Sequence, residues 1–392
     1  MSPRVVILTP FFRPIVGGVE SNAERLARYF SSTGMVVTVL TKRITAGLPD
    51  QESTDGFTIV RIGSRGPRSP SAKWRMLPAV YQWLVDQRNR YDVVCSIDCR
   101  GVGLGALAAR ARTGRRVIAQ PQTTGVLVPE GGTGVFRQAI GRLVGQFYAR
   151  SDAIACIART IEREAIAAGV ERPRVHYLPN AIDMTRFRPP TADERTALRR
   201  QFAIPSDQTV FVFLGRLSRE KGLMELMEAW RQLKADDALL LVAGPDMTNH
   251  AWNVGPAARA FARQHHLDES VRFIGPTDDV PALMRVADVA VQPSHFEALG
   301  LSAIEALACG APVIASGVGG LLDFVRHDDN GITCTPRNAE ALAAAMQLLL
   351  DDPARRARLA GRARPSVEMA YDERLVFGRF ADLARALSGA PE

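Results

Sequence analysis

Four charged side chains in the second half of the chain have the types and spacing to hold a phosphorylated sugar. Glu297 and Glu305 stand eight residues apart in the run VQPSHFEALGLSAIEALACGAPVIASGVGGLLDF, residues 291–324. Carboxylates accept hydrogen bonds from sugar hydroxyls, and a glycine turn feeding a helix leaves unpaired backbone N–H groups where a phosphate can sit. Arg216 and Lys221, five residues apart in GRLSREKG, are the matching cations. Two cations beside a helix start can neutralise a diphosphate, arginine in bidentate fashion. Each set alone has a plain alternative: a buried strand–helix–strand unit with incidental glutamates, or a surface Arg/Lys pair beside Glu220. Their occurrence in one half of the chain favours the binding reading.

The elements that would position these residues follow from hydrophobic patterning. An apolar strand ends near Gln292, turns through Pro293-Ser294, and leads to a helix over about Gly300 to Ala308, stopped by Gly310 and Pro312. The strand Val210–Leu214 runs through the Arg216–Gly222 loop into a helix over Leu223–Leu233. Further strands are expected at Leu239–Ala243, Val271–Ile274 and Val313–Ala315, with helices at 255–266, 281–286, 338–350 and 372–387. The first half repeats the alternation. Strands are expected near Val5–Leu8, Val36–Leu40, Asp92–Ile97, Arg116–Ala119 and Ala153–Ile157. Between them lie helices at Val19–Phe30, around Trp74, Tyr81 and Trp83, at Gly103–Arg112 and at Ile161–Ala168. Residues between Leu40 and 72 read as irregular, and Pro179–Pro190 as a linker. Such βα alternation predicts an α/β fold with doubly wound parallel sheets. Gly101-Val-Gly103-Leu-Gly105 imitates a dinucleotide fingerprint, but the following strand ends in Gln120-Pro121-Gln122 with no acidic residue. Close helix–sheet packing is its expected role.

At 392 residues, two domains are the natural expectation. Hydrophobic residues make up 46% and charged residues 23%, a globular composition, and no apolar run is long enough to span a bilayer. The apolar start MSPRVVILTPFF lacks a small-residue cleavage site and reads as a first strand. Five cysteines (Cys95, Cys99, Cys156, Cys309 and Cys334) show no zinc-type pairing, which suits a reducing, cytoplasmic setting. Charge is uneven: residues 1–180 carry 25 Lys and Arg against 13 Asp and Glu, residues 181–392 carry 24 against 28. The basic half is expected to meet something anionic, or to be a solvated arginine-rich surface. Residues 126–150 set Arg137, Arg142 and Arg150 among Phe136, Ile140, Leu143, Val144 and Phe147, a pattern for an interfacial helix or for a core helix with a charged edge.

The combination of GRLSREKG, FEALGLSAIEALACGAPVIAS and GVGG resembles the retaining glycosyltransferases of the GT4 family, which have the GT-B fold. The glutamate pair matches that family's E-x7-E motif. Pro179-Asn180-Ala-Ile-Asp183 resembles its interdomain segment, and Gly17-Gly18-Val19-Glu20 its first glycine loop. The resemblance implies two Rossmann-like domains facing a central cleft: residues 1–180 for the acceptor, 181–370 for the nucleotide sugar, and a helix in 371–392 crossing back to the first domain. It further implies that Arg216 and Lys221 hold the donor diphosphate, that Glu297 binds donor-sugar hydroxyls, and that the backbone of Leu299, Gly300 and Leu301 approaches the phosphates. Glu305 would accept from the ribose, Ile274 and Gly275 would lie beside the base, and Gly17 and Gly18 would close over the diphosphate.

Many relatives have a histidine after the strand that corresponds to Arg116–Ala119. Here Gln120 or Gln122 takes that place, and glutamine can hydrogen-bond a hydroxyl but cannot titrate. Ala298 stands where many relatives have Gly, and Asp323 where a Glu often follows the glycine pair. The expected activity is transfer of a sugar from a UDP- or GDP-linked donor to an acceptor hydroxyl, on a glycan or a lipid-linked acceptor, with no metal and no nucleic acid partner. An anionic membrane surface is a further expected partner. A nucleotide-sugar epimerase of the same fold and a non-catalytic sugar-nucleotide- or glycan-binding subunit are the competing readings.

Overall fold

Runs of apolar residues buried on both faces build two parallel sheets, one in each of two units. The computed structural model describes residues 2–15, 17–44, 47–63, 76–97, 101–128, 135–233, 237–247 and 250–389. Unit 1 comprises Met1–Ala181 with Glu373–Glu392, and unit 2 comprises Ile182–Asp372.

Unit 1 contains β1 (Arg4–Leu8), β2 (Val36–Lys42), β3 (Gln51–Thr54), β4 (Phe57–Ile62), β5 (Val93–Ile97), β6 (Arg116–Gln120), β7 (Ala153–Cys156) and β8 (Val175–Tyr177). Their order is β3-β4-β2-β1-β5-β6-β7-β8, parallel throughout except for the β3–β4 pair. That hairpin lies in the stretch expected to be irregular. Its turn is Asp55-Gly56, with φ of 51° and 84°, the left-handed pair that a two-residue hairpin demands. The Asp-Gly signal was legible, but β3, with sequence QEST, has no apolar residue to mark a buried face. Helix Gly18–Ser32 buries Ala23, Leu26, Ala27 and Phe30, one face at helical spacing. Against it packs the C-terminal helix Glu373–Ser388, with Phe377 near Tyr29 and Phe380 near Phe30, ring centroids 5.8 Å apart in both pairs. Each such buried ring contributes roughly 2–3 kcal/mol, which ties the end of the chain to its beginning.

Gly101-Val-Gly103-Leu-Gly105 packs chiefly against helices rather than the sheet alone. A Cβ on Gly105 would lie 2.8 Å from Leu77 O, and one on Gly103 would lie 2.6 Å from Tyr148 Oη and 3.0 Å from Ser96 Oγ of β5. The helix expected around Trp74, Tyr81 and Trp83 spans Leu77–Asp86, so Trp74 lies outside the described residues, as does Cys99.

Unit 2 contains β9 (Thr209–Leu214), β10 (Ala238–Ala243), β11 (Val271–Gly275), β12 (Val289–Gln292), β13 (Val313–Ser316) and β14 (Gly331–Cys334), ordered β11-β10-β9-β12-β13-β14 and all parallel. TVFVFL and ALLLVA are almost wholly buried, as central strands covered by helices on both faces must be. Among the described residues of unit 2, three α-helices escaped sequence reading, the shortest being Glu368–Tyr371. Ala192–Gln201 is started by a Thr191/Glu194 capping box, and Pro353–Ala363 by Asp352. The Pro179–Pro190 stretch is not loose: Ile182, Met184 and Phe187 are buried, and Arg364 donates to the carbonyls of Met184 and Phe187 at 3.2 and 2.8 Å. No helix among the described residues is long and apolar enough to cross a membrane.

Candidate functional site

In unit 2 the chain runs outward from β9 through β10 to β11, then returns to place β12 on the other side of β9. Strand order therefore reverses between β9 and β12, and the loops leaving their C-terminal ends diverge to open a crevice there. The β9 loop carries Arg216 and Lys221, and the β12 loop carries Glu297. Sequence placed these residues in one half of the chain. The sheet order places their loops side by side.

After β9, a short 3-10 turn over Arg219–Lys221 ends at Gly222, whose φ is +70°. A side chain at Gly222 would be strained by that angle and would run into the Pro293 carbonyl oxygen. This close approach draws the β9 loop against the β12 loop, and His295 N donates to Glu220 O at 2.8 Å to hold it there. Lys221 Nζ then meets Glu297 Oε2 at 2.5 Å, with the two side chains only 15% and 12% exposed. Two more donors reach the same oxygen: Gln292 Nε2 at 3.2 Å and Ser294 Oγ at 3.1 Å. Gln292 is fixed in turn by Ser302 Oγ, which donates to its Oε1 at 2.7 Å. The glutamate is thus held by one oxygen.

Behind it, Gly319 (φ +49°) and Gly320 press directly on the backbone of Glu297 and Ala298, where a Cβ on either would collide with a carbonyl oxygen. Gly320 N donates to Glu297 O at 3.1 Å. Gly300, at φ +97°, turns the chain into helix Leu301–Ala308, whose first N–H groups open beside Glu297. Glu305 lies on that helix, half-buried. Burial first, then the Glu305 charge, push the Cys309 thiol up to about 12.

Arg216 does not join the Lys221–Glu297 contact. Its side chain is 47% exposed, with Nη2 3.4 Å from Glu220 Oε2 and Nη1 3.8 Å from Met247 Sδ. Ile274 and Gly275 close β11, and Gly275 O accepts from Gly244 N at 2.8 Å. They sit at the same end of the sheet as Lys221 but two strands away from β9.

The other sequence-derived residues belong to unit 1. Gly17 is extended, with φ −170°, and precedes helix Gly18–Ser32. Gln120 closes β6, fully buried, its Nε2 donating to Leu178 O at 3.2 Å. Gln122 Oε1 accepts from Asn180 Nδ2 at 2.7 Å. Three buried polar atoms here, Gln120 Oε1, Gln122 Nε2 and Asn180 Oδ1, have no hydrogen-bond partner among the described residues. Such a cluster can pair with a polar ligand.

Gln292, Ser294, Ser302 and His295 were not singled out from sequence. Serine three residues before Glu297 was a usable signal, whereas Gln292 reads as an ordinary strand end.

Two family models divide the chain between them. "Glycosyl transferase 4-like domain" matches residues 17–181 and "Glycosyl transferases group 1" matches residues 194–365. D-inositol 3-phosphate glycosyltransferase of Jonesia denitrificans is 30% identical over 384 residues, covering 91% of this chain and 88% of its own. Among solved structures, sucrose-phosphate synthase from Thermosynechococcus elongatus superposes with a TM-score of 0.86 at 22% identity over 98% of this chain and 99% of that one. Anabaena HepE in complex with UDP gives 0.78 at 19% identity, over 98% of this chain and 100% of that one. Both share the fold of two parallel-sheet, Rossmann-like domains. With matched family models over each half, and a full-length relative aligned across both, the chain belongs to the GT4 family of GT-B glycosyltransferases.

Proposed function

We propose that the chain transfers a sugar, with retention of configuration, from a UDP- or GDP-linked donor to an acceptor hydroxyl on a glycan or lipid-linked acceptor. The observation that carries this reading is the Lys221–Glu297 contact at the reversal of strand order in unit 2. A diphosphate entering there would draw Lys221 toward its oxygens and release a carboxylate that Gln292 and Ser294 keep in place. Arg216, half-exposed and weakly held, can swing to the same phosphates. The N–H groups at Leu301 add further positive potential. Because these groups meet the charge that builds on the leaving diphosphate, the reading needs no metal.

Glu297 would then hold donor-sugar hydroxyls, Glu305 the ribose, and Ile274-Gly275 the base. The amide cluster of Gln120, Gln122 and Asn180 would hydrogen-bond hydroxyls without exchanging protons. The reading invokes no protein nucleophile: the acceptor hydroxyl attacks from the face the diphosphate leaves, and the departing phosphate oxygen takes its proton. HepE, as a UDP complex of the same fold, supports the donor class.

A thermal-shift panel with UDP, GDP, ADP and their sugar conjugates tests this reading. One nucleotide should raise the midpoint by mass action. Absence of a shift with every one of them would refute it.

A further inference from the structure

The helix Val135–Tyr148 in unit 1 turns apolar side chains outward. Ile140, Leu143 and Phe147, spaced three and four residues apart along one helical face, are 44%, 61% and 47% exposed. Its opposite face is the packed one: Tyr148 is fully buried, and Gly145 lies so close to the Leu127 carbonyl that a Cβ there would collide with it. Arg150 is exposed at the C-terminal end of the apolar stripe, its guanidinium 5.6 Å from the Phe147 ring centroid.

Just beyond the helix, at the N-terminal ends of β6–β8, lies a cavity of about 660 Å³. Arg110, Arg116, Arg150 and Arg174 line it, with Asp152 as the acidic group. Asp152 is shared by Arg110, at 2.7 and 2.9 Å, and Arg116, at 2.8 Å. Arg174 Nη2 donates to Ala149 O at 2.6 Å. Four guanidinium groups against one carboxylate leave a net positive pocket. In its wall, Ser151 Oγ is buried without a hydrogen-bond partner among the described residues. The cations and the apolar stripe meet at Arg150.

An exposed apolar stripe with arginines clustered at its end is the pattern of a helix lying in the headgroup region of a bilayer, where apolar side chains reach the acyl boundary and guanidinium groups meet lipid phosphates. We propose that helix Val135–Tyr148 and the adjoining arginine pocket form a docking surface for an anionic phospholipid bilayer. Ile140, Leu143 and Phe147 enter the interface, while Arg150 and the pocket face the phosphodiester groups. The excess of cations in residues 1–180 gives the long-range attraction that matches this partner. The surface belongs to unit 1 alone and is independent of the donor chemistry of unit 2.

Cosedimentation of the full chain with vesicles of phosphatidylcholine alone, or mixed with phosphatidylglycerol, is the test. Binding is expected only with phosphatidylglycerol and should weaken with salt. Leu143→Ser/Phe147→Ser and Arg150→Glu should each lower partitioning by about tenfold or more while leaving the unfolding midpoint unchanged. No binding to anionic vesicles would overturn the proposal, as would equal binding by both variants. A lipid-free dimer that Leu143→Ser/Phe147→Ser dissociates would also overturn it, assigning the stripe to a second copy of the chain.

Discussion

Replacing Lys221 by alanine should weaken both unit 2 and its hold on a nucleotide, and the structure sets the size of each effect. The ammonium lies 2.5 Å from Glu297 Oε2, and both side chains are more than four-fifths buried. Breaking such a pair from one side costs about 3–5 kcal/mol when the remaining charge is left bare. Here Gln292 and Ser294 still donate to the same oxygen, so a loss of about 2–3 kcal/mol is expected. For a unit of this size that lowers the unfolding midpoint by about 4–12 °C. On the proposed reading, the interaction lost in a nucleotide complex would be a charge-assisted hydrogen bond to phosphate, about 1.5–3 kcal/mol, or between about tenfold and a hundredfold in Kd.

Glu297→Gln should act in the opposite sense on binding. It frees the lysine without removing it, so affinity for the nucleoside diphosphate should hold or tighten while transfer from the sugar donor falls. Differential scanning fluorimetry gives the midpoints, and calorimetric titration with the stabilising nucleotide gives the affinities. Wild-type affinity in Lys221→Ala, or a matching loss of affinity in Glu297→Gln, would refute the assignment of Lys221 to phosphate.

Three further outcomes follow from the packing. Gly222→Ala should cost about 3 kcal/mol or more, since it combines a left-handed angle with a collision at Pro293 O; urea denaturation reads the loss, and a wild-type midpoint would contradict the close approach. Burial alone would raise the Asp152 carboxyl, but hydrogen bonds from Arg110, Val117 N–H and Arg116 outweigh it and hold the group below the usual carboxylate range. Its contribution is therefore complete above about pH 4 and lost as pH falls through the depressed value, so Asp152→Asn should be less stable at neutral pH and should lose less on acidification. Burial pushes the thiols of Cys156 and Cys309 up to about 12 and that of Cys95 higher still. In the native chain these three should resist a thiol reagent at pH 8 until urea is added, and rapid labelling of any of them would contradict their burial.

Much of the fold was legible because local pattern and tertiary environment agree. Val210–Leu214 and ALLLVA are apolar throughout, which is what a strand buried on both faces requires. The breaks Gly310-Ala-Pro312 and Gly215-to-Gly222 mark where strands and helices exchange. Glu297, Glu305, Arg216 and Lys221 could be picked out as candidates from residue type and spacing, because a site for a diphosphate and a sugar would call for such charges near a helix start. Strand β3, with sequence QEST, has no apolar residue to give a periodic signal, and helix Ala192–Gln201 is too polar for one despite its capping box.

Sequence could not say which of the chosen charges touch. That depends on the order β11-β10-β9-β12-β13-β14, a long-range property that brings the β12 loop beside the β9 loop although 76 residues separate Lys221 from Glu297. Only the folded chain shows Gln292 and Ser294 converging on Glu297 Oε2 while Arg216 stands aside with Glu220. The outward turn of Ile140, Leu143 and Phe147 was equally hidden, since a helical stripe has the same spacing whether it faces a core or water. Residue type and spacing determine which elements form and which chemistry they can carry. Which loops meet, and which faces remain uncovered, is decided by strand order and packing between residues far apart in the chain.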